Sequence, residues 1–429
     1  MSFAEQRLFR TNGQWKRQRI KHHVKGFFGG GTPSTENREF WTNGTIPWVS
    51  SKDMKVSRLR ETQDYITEAA VACSATNLVE PGSVLMVVRS GILKHSIPVA
   101  INDVQVALNQ DIKAFVLRET LDPEFFFYWV TGQQRELLLE WGQLGATVDS
   151  LNIEILRNTV IPLPSLGGQR AIVAFLDRQT GRIGGLIKNK TRFIALLKEK
   201  RAAVITHAVT KGIDPDALMK DSGVDWLGRV PAHWEVVPPT ALFTESKERA
   251  REGDQMLSAT QKYGVIPLAE YEALEQRQVT MAVVNLNMRK HVEVGDFVIS
   301  MRSMDGGLER ARAVGSVRSS YSVLKPGPDV EGRFYGALMK SSLYIQALRL
   351  TSNFIRDGQD LNFGHVRKVK LPKPDIREQA AIADHIKAET ARIDGLISLT
   401  ERSIELLREK RAALITAAVT GKIDVRTAA

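Results

Sequence analysis

The chain has 429 residues, 43% of them hydrophobic and 25% charged, a soluble globular composition too long for one ordinary core. Its longest apolar runs, such as 84–88, are far too short to span a bilayer, the N-terminus lacks the apolar core of a secretory signal, and the single Cys73 excludes an internal disulfide or thiolate zinc site, so a reducing cytoplasm and no membrane are expected. The 59 Lys and Arg against 48 Asp and Glu give +11, which puts nucleic acid first among partners and leaves open a basic protein that binds none.

The segment "QWKRQRI" places Trp15 at the start of a first domain, residues 1–161. The stretch "GGGTPSTENREFWTNGTIPWVSSKDM" follows, with Gly30, Gly31 and Thr32 in a Gly-rich turn. Backbone N–H groups of such a turn can approach phosphate; a plain turn is the alternative. Ser51 and Lys52, in "SSKD", are polar groups suited to base contacts. "VEPGSVLMVVRS" reads as a Gly turn leading into a buried strand that ends at Arg89 and Ser90. Arginine at that end suits bidentate readout of guanine or a phosphate contact; a solvated strand end is the alternative. Gln110 and Thr147 are further candidates, and "FYW" at 127–129 leads into a helix-like stretch.

Residues 162–214 read as a long helix. Apolar or small residues fall at Leu176, Ile183, Leu186, Ile187, Ile194, Leu197, Val204, Ile205 and Ala208, the spacing of a coiled-coil seam. Gly212 ends it. Residues 215–233 carry Gly and Pro without helical periodicity and read as a linker. Trp234 then opens a second domain, 234–371. Its candidates are Ser258, Thr260 and Lys262 in "SATQKYG", Arg302 and Ser303 after the strand-like "VEVGDFVISMRS", then Arg310, Asn353 and Arg356. A second long helix occupies 372–424, with Ile386, Ile393, Leu396, Ile397, Ile404, Leu407, Leu414, Ile415 and Ala418 on its seam and a short tail, 425–429, beyond. Asp375 and Glu378 have the spacing of a capping box, while the first helix keeps only Ser165, with Gly168 in the glutamate position.

The helical segments are copies. Aligned without a gap, 162–214 and 372–424 are identical at 27 of 53 positions. "EKRAA" recurs as Glu199, Lys200, Arg201 and as Glu409, Lys410, Arg411, on or beside the seam. These residues either fix helix register or present a face that docks a second subunit. Two such helices most simply pack on each other, and an antiparallel arrangement would relate the halves by an internal pseudo-two-fold. The fold class is therefore α/β (α+β), with two variable domains separated by two long coiled-coil helices.

Catalytic signatures are absent. The chain has no G-x-x-x-x-G-K-[ST], no H-E-x-x-H and no G-x-S-x-G. "VPPT" at 237–240 lacks the acid or amide before, and the aromatic after, the prolines of an amino-methyltransferase tetrad. His22 and His23 have no spaced carboxylate or cysteine, so no metal site is expected. "FFGGG" resembles the glycine loop of adenosylmethionine-dependent methyltransferases but follows no convincing buried strand. The expectation is a recognition device without a cofactor of its own. Its rivals are a self-contained DNA methyltransferase or nuclease with an atypical site, and a coiled-coil adaptor that binds no DNA.

The chain resembles the specificity (S) subunits of type I restriction–modification systems. The matching features are "GGGTPSTENREFWTNGTIPWVSSKD", "PLPSLGGQRAIVAFLD" and "LPKPDIREQAAIADHI", the linker "DSGVDWLGRVPAHWEVV", and the paired "LLKEKRAAVITHAVTKGI" and "LLREKRAALITAAVTGKI". The likeness covers nearly the whole chain. It implies two target-recognition domains that each read one part of a split sequence in double-stranded DNA, held apart by antiparallel helices. It implies two methyltransferase (M) subunits recruited by the helices and two restriction (R) subunits in the larger complex. Adenine methylation, cleavage, S-adenosylmethionine, Mg²⁺ and ATP would all belong to those partners. One departure is plain: the second variable domain lacks Gly-Gly-Thr-Pro and opens "FTESKERAREGDQMLSATQKYG".

Overall fold

The computed structural model describes residues 15–143, 148–279, 288–300, 303–351 and 361–425. The chain divides into two compact units, residues 1–190 with 402–429, and residues 191–401. Each unit therefore owns one mixed α/β domain, part of one long helix and part of the other.

In the first unit, strands Val24–Gly29, Ile112–Leu117, Val84–Val87, Val99–Asn102 and Arg58–Leu59 lie side by side in that order. All pairs are antiparallel except the last. Val84–Val87 is buried at every position, as its unbroken apolar run demands. A second sheet runs Asp64–Ile66, Ile46–Val49, Val106–Leu108, Leu78–Val79. A strand, Val24–Gly29, does precede the Gly-rich turn, but only its first residue, Val24, is buried, which is why no buried run marks it. Helix Pro123–Gly132, with Pro at its first position and Asp122 as N-cap, buries Phe125, Phe126, Trp129 and Val130.

The second unit repeats the plan. Strands Phe243–Ser246, Ser322–Pro326, Phe297–Ile299 and Glu309–Arg310 form its central antiparallel sheet. Helix Gly332–Leu338 buries Phe334, Tyr335 and Leu338. Residues 215–233 hold a hairpin, Met219–Asp221 against Arg229–Pro231. Leu227 and Val230 of this segment enter the core of the second unit.

The repeated segments are helices Leu166–Lys211 and Ile376–Val419, of 46 and 44 residues. Burial along the first follows 176, 180, 183, 187, 190, 194, 197, 201, 204 and 208, and the second repeats it 210 residues later except at the exposed Arg411. That alternation of three and four is a heptad seam. Thr180, Lys190 and Arg201 belong to it, although apolar letters alone do not mark them. Leu186 and Leu396, expected on the seam, are 44% and 40% exposed because they fall one residue short of it. The helices run antiparallel inside each unit. In the first, Ile172, Phe175 and Leu176 share a core with Ile415, Ala418 and Val419. In the second, Ala208 and Val209 share one with Ile382, Ala383 and Ile386.

The helix ends follow local chemistry. Ser165 Oγ accepts the Gly168 N–H at 3.2 Å, and Asp375 Oδ1 accepts those of Arg377 and Glu378 at 2.9 and 3.0 Å. The capping box is only half formed, because the Glu378 carboxylate turns away to Trp234 and His233. Gly212 and Gly421 take positive φ, +77° and +69°, just past the helix ends.

A buried glutamine ties each α/β domain to its helix. Gln169 Oε1 accepts the Asp122 N–H, and its Nε2 donates to the carbonyls of Thr120 and Pro164. Gln379 makes the matching set with Glu331, Asp329 and Pro374. Both side chains complete the backbone of the turn that starts the preceding domain helix.

Candidate nucleic-acid interface

Four loops converge at one edge of the first unit. The Gly-rich turn is pinned to the strand Val106–Leu108, where the Gly31 N–H donates to the Leu108 carbonyl at 3.0 Å. A Cβ at Gly30 would overlap that carbonyl, so only glycine permits the approach. The Gly31 carbonyl accepts from Trp48 Nε1 and Thr76 Oγ1 at 3.1 and 2.7 Å. These two glycines are thus structural, and they place Thr32, whose hydroxyl donates to Gln110 Oε1 at 2.6 Å.

The neighbouring Asn109 N–H donates to the Val49 carbonyl, which brings in the turn 50–53. Asp53 Oδ2 accepts from both the N–H and the hydroxyl of Ser50 at 2.8 Å, leaving Ser51 half-buried and Lys52 exposed. Arg89 N–H donates to the Asp111 carbonyl, and its Nε lies 3.9 Å from Asp111 Oδ1. Ser90 starts a short turn, its Oγ accepting the Ile92 N–H. Thr32, Lys52, Arg89 and Gln110 are therefore the exposed polar side chains that these loops present together. Both phosphate and base edges are within the chemistry of such a set.

In the second unit the basic groups gather around a cavity of about 440 Å³, lined by Arg201, Lys262, Arg310, Arg312, Arg333 and Lys340. Lys262 sits in the hairpin turn between Leu257–Thr260 and Gly264–Pro267, over the Tyr263 ring and 3.4 Å from Glu275. Hydrogen bonding to Tyr263 and then to Glu275 holds its pKa above the ordinary lysine value. Thr260 supports that turn, its hydroxyl donating to the Gly264 carbonyl and accepting the Tyr263 N–H. Ser258 lies on the strand, half-buried.

Arg310 packs against Gly332, where a Cβ would come within 2.6 Å of its Nε. Among the described residues, Arg310 and Arg312 have no ion-pair partner, whereas Arg333 holds Glu331 and Asp384, and Lys340 holds Glu309 at 2.7 Å. Burial pushes the Glu309 carboxyl up, against the pull of Lys340. Sequence reading found Lys262 and Arg310 but missed Arg312, Arg333 and Lys340. They come from separate segments and meet only in the fold.

Ser303 is 1% exposed, and its Oγ accepts the Ser300 N–H at 3.0 Å, so it builds the turn after Phe297–Ile299. Thr147, Arg302, Asn353 and Arg356 lie outside the described residues.

On the long helices, Glu199, Lys200, Glu409, Lys410 and Arg411 are exposed. Arg201 is not free: its Nε donates to both oxygens of Asp394 at 3.0 and 3.3 Å, an ion pair across the second unit's helix pair. That contact fixes register. Arg411 has Gly184 where Arg201 has Asp394, so its copy of the pair cannot form. Phe193, Leu196 and Leu399 of the second unit are 46%, 52% and 71% exposed, and Leu406 of the first is 50% exposed, apolar side chains the basic motif did not announce.

No helix among the described residues is long and apolar enough to cross a membrane. No group of three or more His, Cys, Asp or Glu that could hold a metal occurs among them.

Residues 14–192 match the family described as type I restriction modification DNA specificity domain. The EcoR124I/EcoR124II specificity subunit of Escherichia coli is 38% identical over 152 residues, 35% of this chain and 38% of that protein. A putative MjaX specificity subunit of Methanocaldococcus jannaschii is 23% identical over 72% of this chain and 70% of its own. The chain thus spans well under half of the first relative and about two thirds of the second. Among solved structures, the HsdS subunit from Thermoanaerobacter tengcongensis aligns with 97% of this chain and 99% of its own, at TM-score 0.54 and 15% identity. A chain solved for complex assembly and conformational transition of the type I R-M system covers 97% and 100%, at TM-score 0.69 and 16% identity. At these identities the structural likeness speaks to the fold.

Proposed function

We propose that the chain, whose residues 14–192 match the type I restriction modification DNA specificity family, is a specificity subunit of that kind and reads a bipartite, asymmetric DNA site, one part with each α/β domain. The observation that carries this reading is the converged edge of the first unit, where Thr32, Lys52, Arg89 and Gln110 stand exposed on a rigid support. The basic cavity at Arg310 and Arg312 is the corresponding surface of the second unit. Lysine and arginine to phosphate supply salt-dependent affinity, and base contacts supply choice. Dividing the site between two linked domains multiplies specificity through effective concentration.

The chain is non-catalytic in this reading. Two methyltransferase subunits dock on the long helices, where exposed leucines and the "EKRAA" side chains meet them, and carry out adenine methylation with S-adenosylmethionine. Two restriction subunits add ATP- and Mg²⁺-dependent cleavage. The assembly works in the cytoplasm, where its DNA lies. The test is a map of modified adenines in DNA from cells that carry this protein with its methyltransferase, together with an assay of the purified chain. A split motif with a fixed spacer and no methyl transfer by the chain alone is expected; turnover by the chain alone overturns the reading.

A further inference from the structure

Each unit joins its first strand to a long helix in the same way, and the two joints differ at one telling position. In the second unit, Glu235–Val237 pairs with Leu371–Lys373, with Glu235 opposite Lys373. In the first, Lys16–Arg19 pairs with Val160–Leu163, with Lys16 opposite Leu163. The registers match, so Trp15 corresponds to Trp234 and Gly168 to Glu378. Each tryptophan lies beside a helix-ending glycine: a Cβ on Gly421 would stand 3.2 Å from the Trp15 ring, and one on Gly212 3.4 Å from the Trp234 ring.

In the second joint a carboxylate completes the packing. Glu378 Oε1 accepts the indole N–H of Trp234 at 2.9 Å, and its Oε2 lies 2.9 Å from His233 Nε2. The first joint has glycine there, and a cavity of about 1120 Å³ opens, lined among others by Trp15, Lys16, His23, Thr120, Ser165 and Gly168. Among the described residues the Trp15 indole N–H has no hydrogen-bond acceptor. Lys16 stands where the second joint has Glu235, so two carboxylates of that joint are replaced by a glycine and a lysine. Asp424 is the carboxylate on the cavity wall, and it lies exposed at the rim.

Two further features favour an anion. The N-terminus of the 46-residue helix forms one wall, through Leu166, Gly167 and Gly168; Ser165 Oγ takes the Gly168 N–H, and the helix dipole with the remaining first-turn amides attracts negative charge. His23, only 4% exposed, sets Nδ1 2.8 Å from Thr120 Oγ1 and leaves Nε2 without a partner. A buried nitrogen without a partner costs free energy until something bonds it.

We propose that the first unit carries a carboxylate-binding site at the start of its long helix, in which a ligand's carboxylate takes the role Glu378 plays in the second. A planar two-oxygen acceptor is the group the duplicated joint already uses. The carboxylate comes from a small acid or from an acidic side chain of a partner polypeptide. The proposal does not depend on how the chain reads DNA.

The test uses the full chain labelled with ¹⁵N at its indoles, with Trp15→Phe to assign the Trp15 signal. Sodium acetate is titrated against sodium chloride at constant ionic strength, followed by a capped glutamate peptide. A saturable shift of the Trp15 indole N–H with acetate, and none with chloride, is expected. Gly168→Glu should move that signal without acetate and remove any further response. The second joint already accommodates a glutamate beside Pro374, and a Cβ on Gly168 would lie 3.1 Å from Pro164. His23→Leu should weaken acetate binding at least several-fold with the fold intact by circular dichroism. Tighter binding of the peptide than of acetate assigns the site to a partner side chain, and the reverse assigns it to a small acid. An equal response to chloride, or an acetate response unchanged in both Gly168→Glu and His23→Leu, overturns the proposal.

Discussion

Gln169 and Gln379 make matching sets of three hydrogen bonds in the two units, whereas Arg89 and Arg310 stand at the proposed reading surfaces and share nothing. Arg89 rests near Asp111 at the end of a buried strand; Arg310 lies against Gly332 beside a basic cavity. The difference teaches where duplication is retained. Residues that complete a backbone turn have one geometric solution, so both copies keep it. In the proposed function the reading surfaces answer to DNA outside the chain, so the two copies are free to differ.

The sharpest way to break this contrast is through the buried amides. Gln379→Leu leaves the Glu331 N–H and two carbonyls unpaired, which should cost about 2–4 kcal/mol, read as a fall in Tm. Gln169→Leu should cost a similar amount. Neutral variants would show that the shared hydrogen bonds do not hold the helices to their domains.

The residues at the proposed reading surfaces should behave in the opposite way. Arg310→Ala, at a half-buried side chain whose Nε has no partner, is expected to cost at most about 1 kcal/mol of stability, read by thermal melting, and to weaken DNA binding of the complex by about 1–3 kcal/mol if it meets a base. Lys52→Ala should weaken binding to all sequences alike and lower the salt slope by about 1. Isotherms at several salt concentrations separate the two; unchanged binding in both variants removes these residues from the interface.

Two histidines extend the contrast to pH. His291, 1% exposed, is held by Asp254 at Nδ1 and Glu293 at Nε2, both at 2.8 Å. Burial pulls its pKa down, but the two carboxylates outweigh that and raise it above the ordinary value, with Arg251 opposing. Its contribution to stability is complete below the unfolded pKa and fades as pH rises through the folded one. Burial, His22 and Arg118 lower the pKa of His23, so its contribution is complete above the unfolded pKa and fades as pH falls through the folded one. Raising the pH from about 6 to about 8 should therefore speed intrinsic-rate-corrected amide exchange around 291–293 and slow it around 23. The same direction at both places would contradict the assignment.

The smallest effect belongs to the helix pair. Arg201→Ala removes an ion pair whose side chains are 41% and 52% exposed, and should cost about 0.2–1 kcal/mol by thermal melting. Arg411→Ala, lacking the aspartate, should cost less.

Much of this architecture is legible in the letters. The 27 identities in 53 positions mark the duplicated helices, the apolar period marks their seam, and Trp15 and Trp234 mark the strands that pair beside them. Thr180 and Lys190 stay hidden because a seam recognised by apolar letters passes over polar members that antiparallel packing covers. Glu378 reads as a cap, yet the fold hands its carboxylate to Trp234. The cluster of Arg310, Arg312, Arg333 and Lys340 is illegible because the sheet and helix that gather it are set by distant strand pairing.

The central claim is that each α/β domain reads its own part of the site. Its most direct test replaces residues 234–371 with the equivalent domain of a relative and maps methylated adenines in cells that carry the matching methyltransferase. One part of the split motif should change while the other part and the spacer stay as they were. A change in both parts, or in neither, would contradict the account.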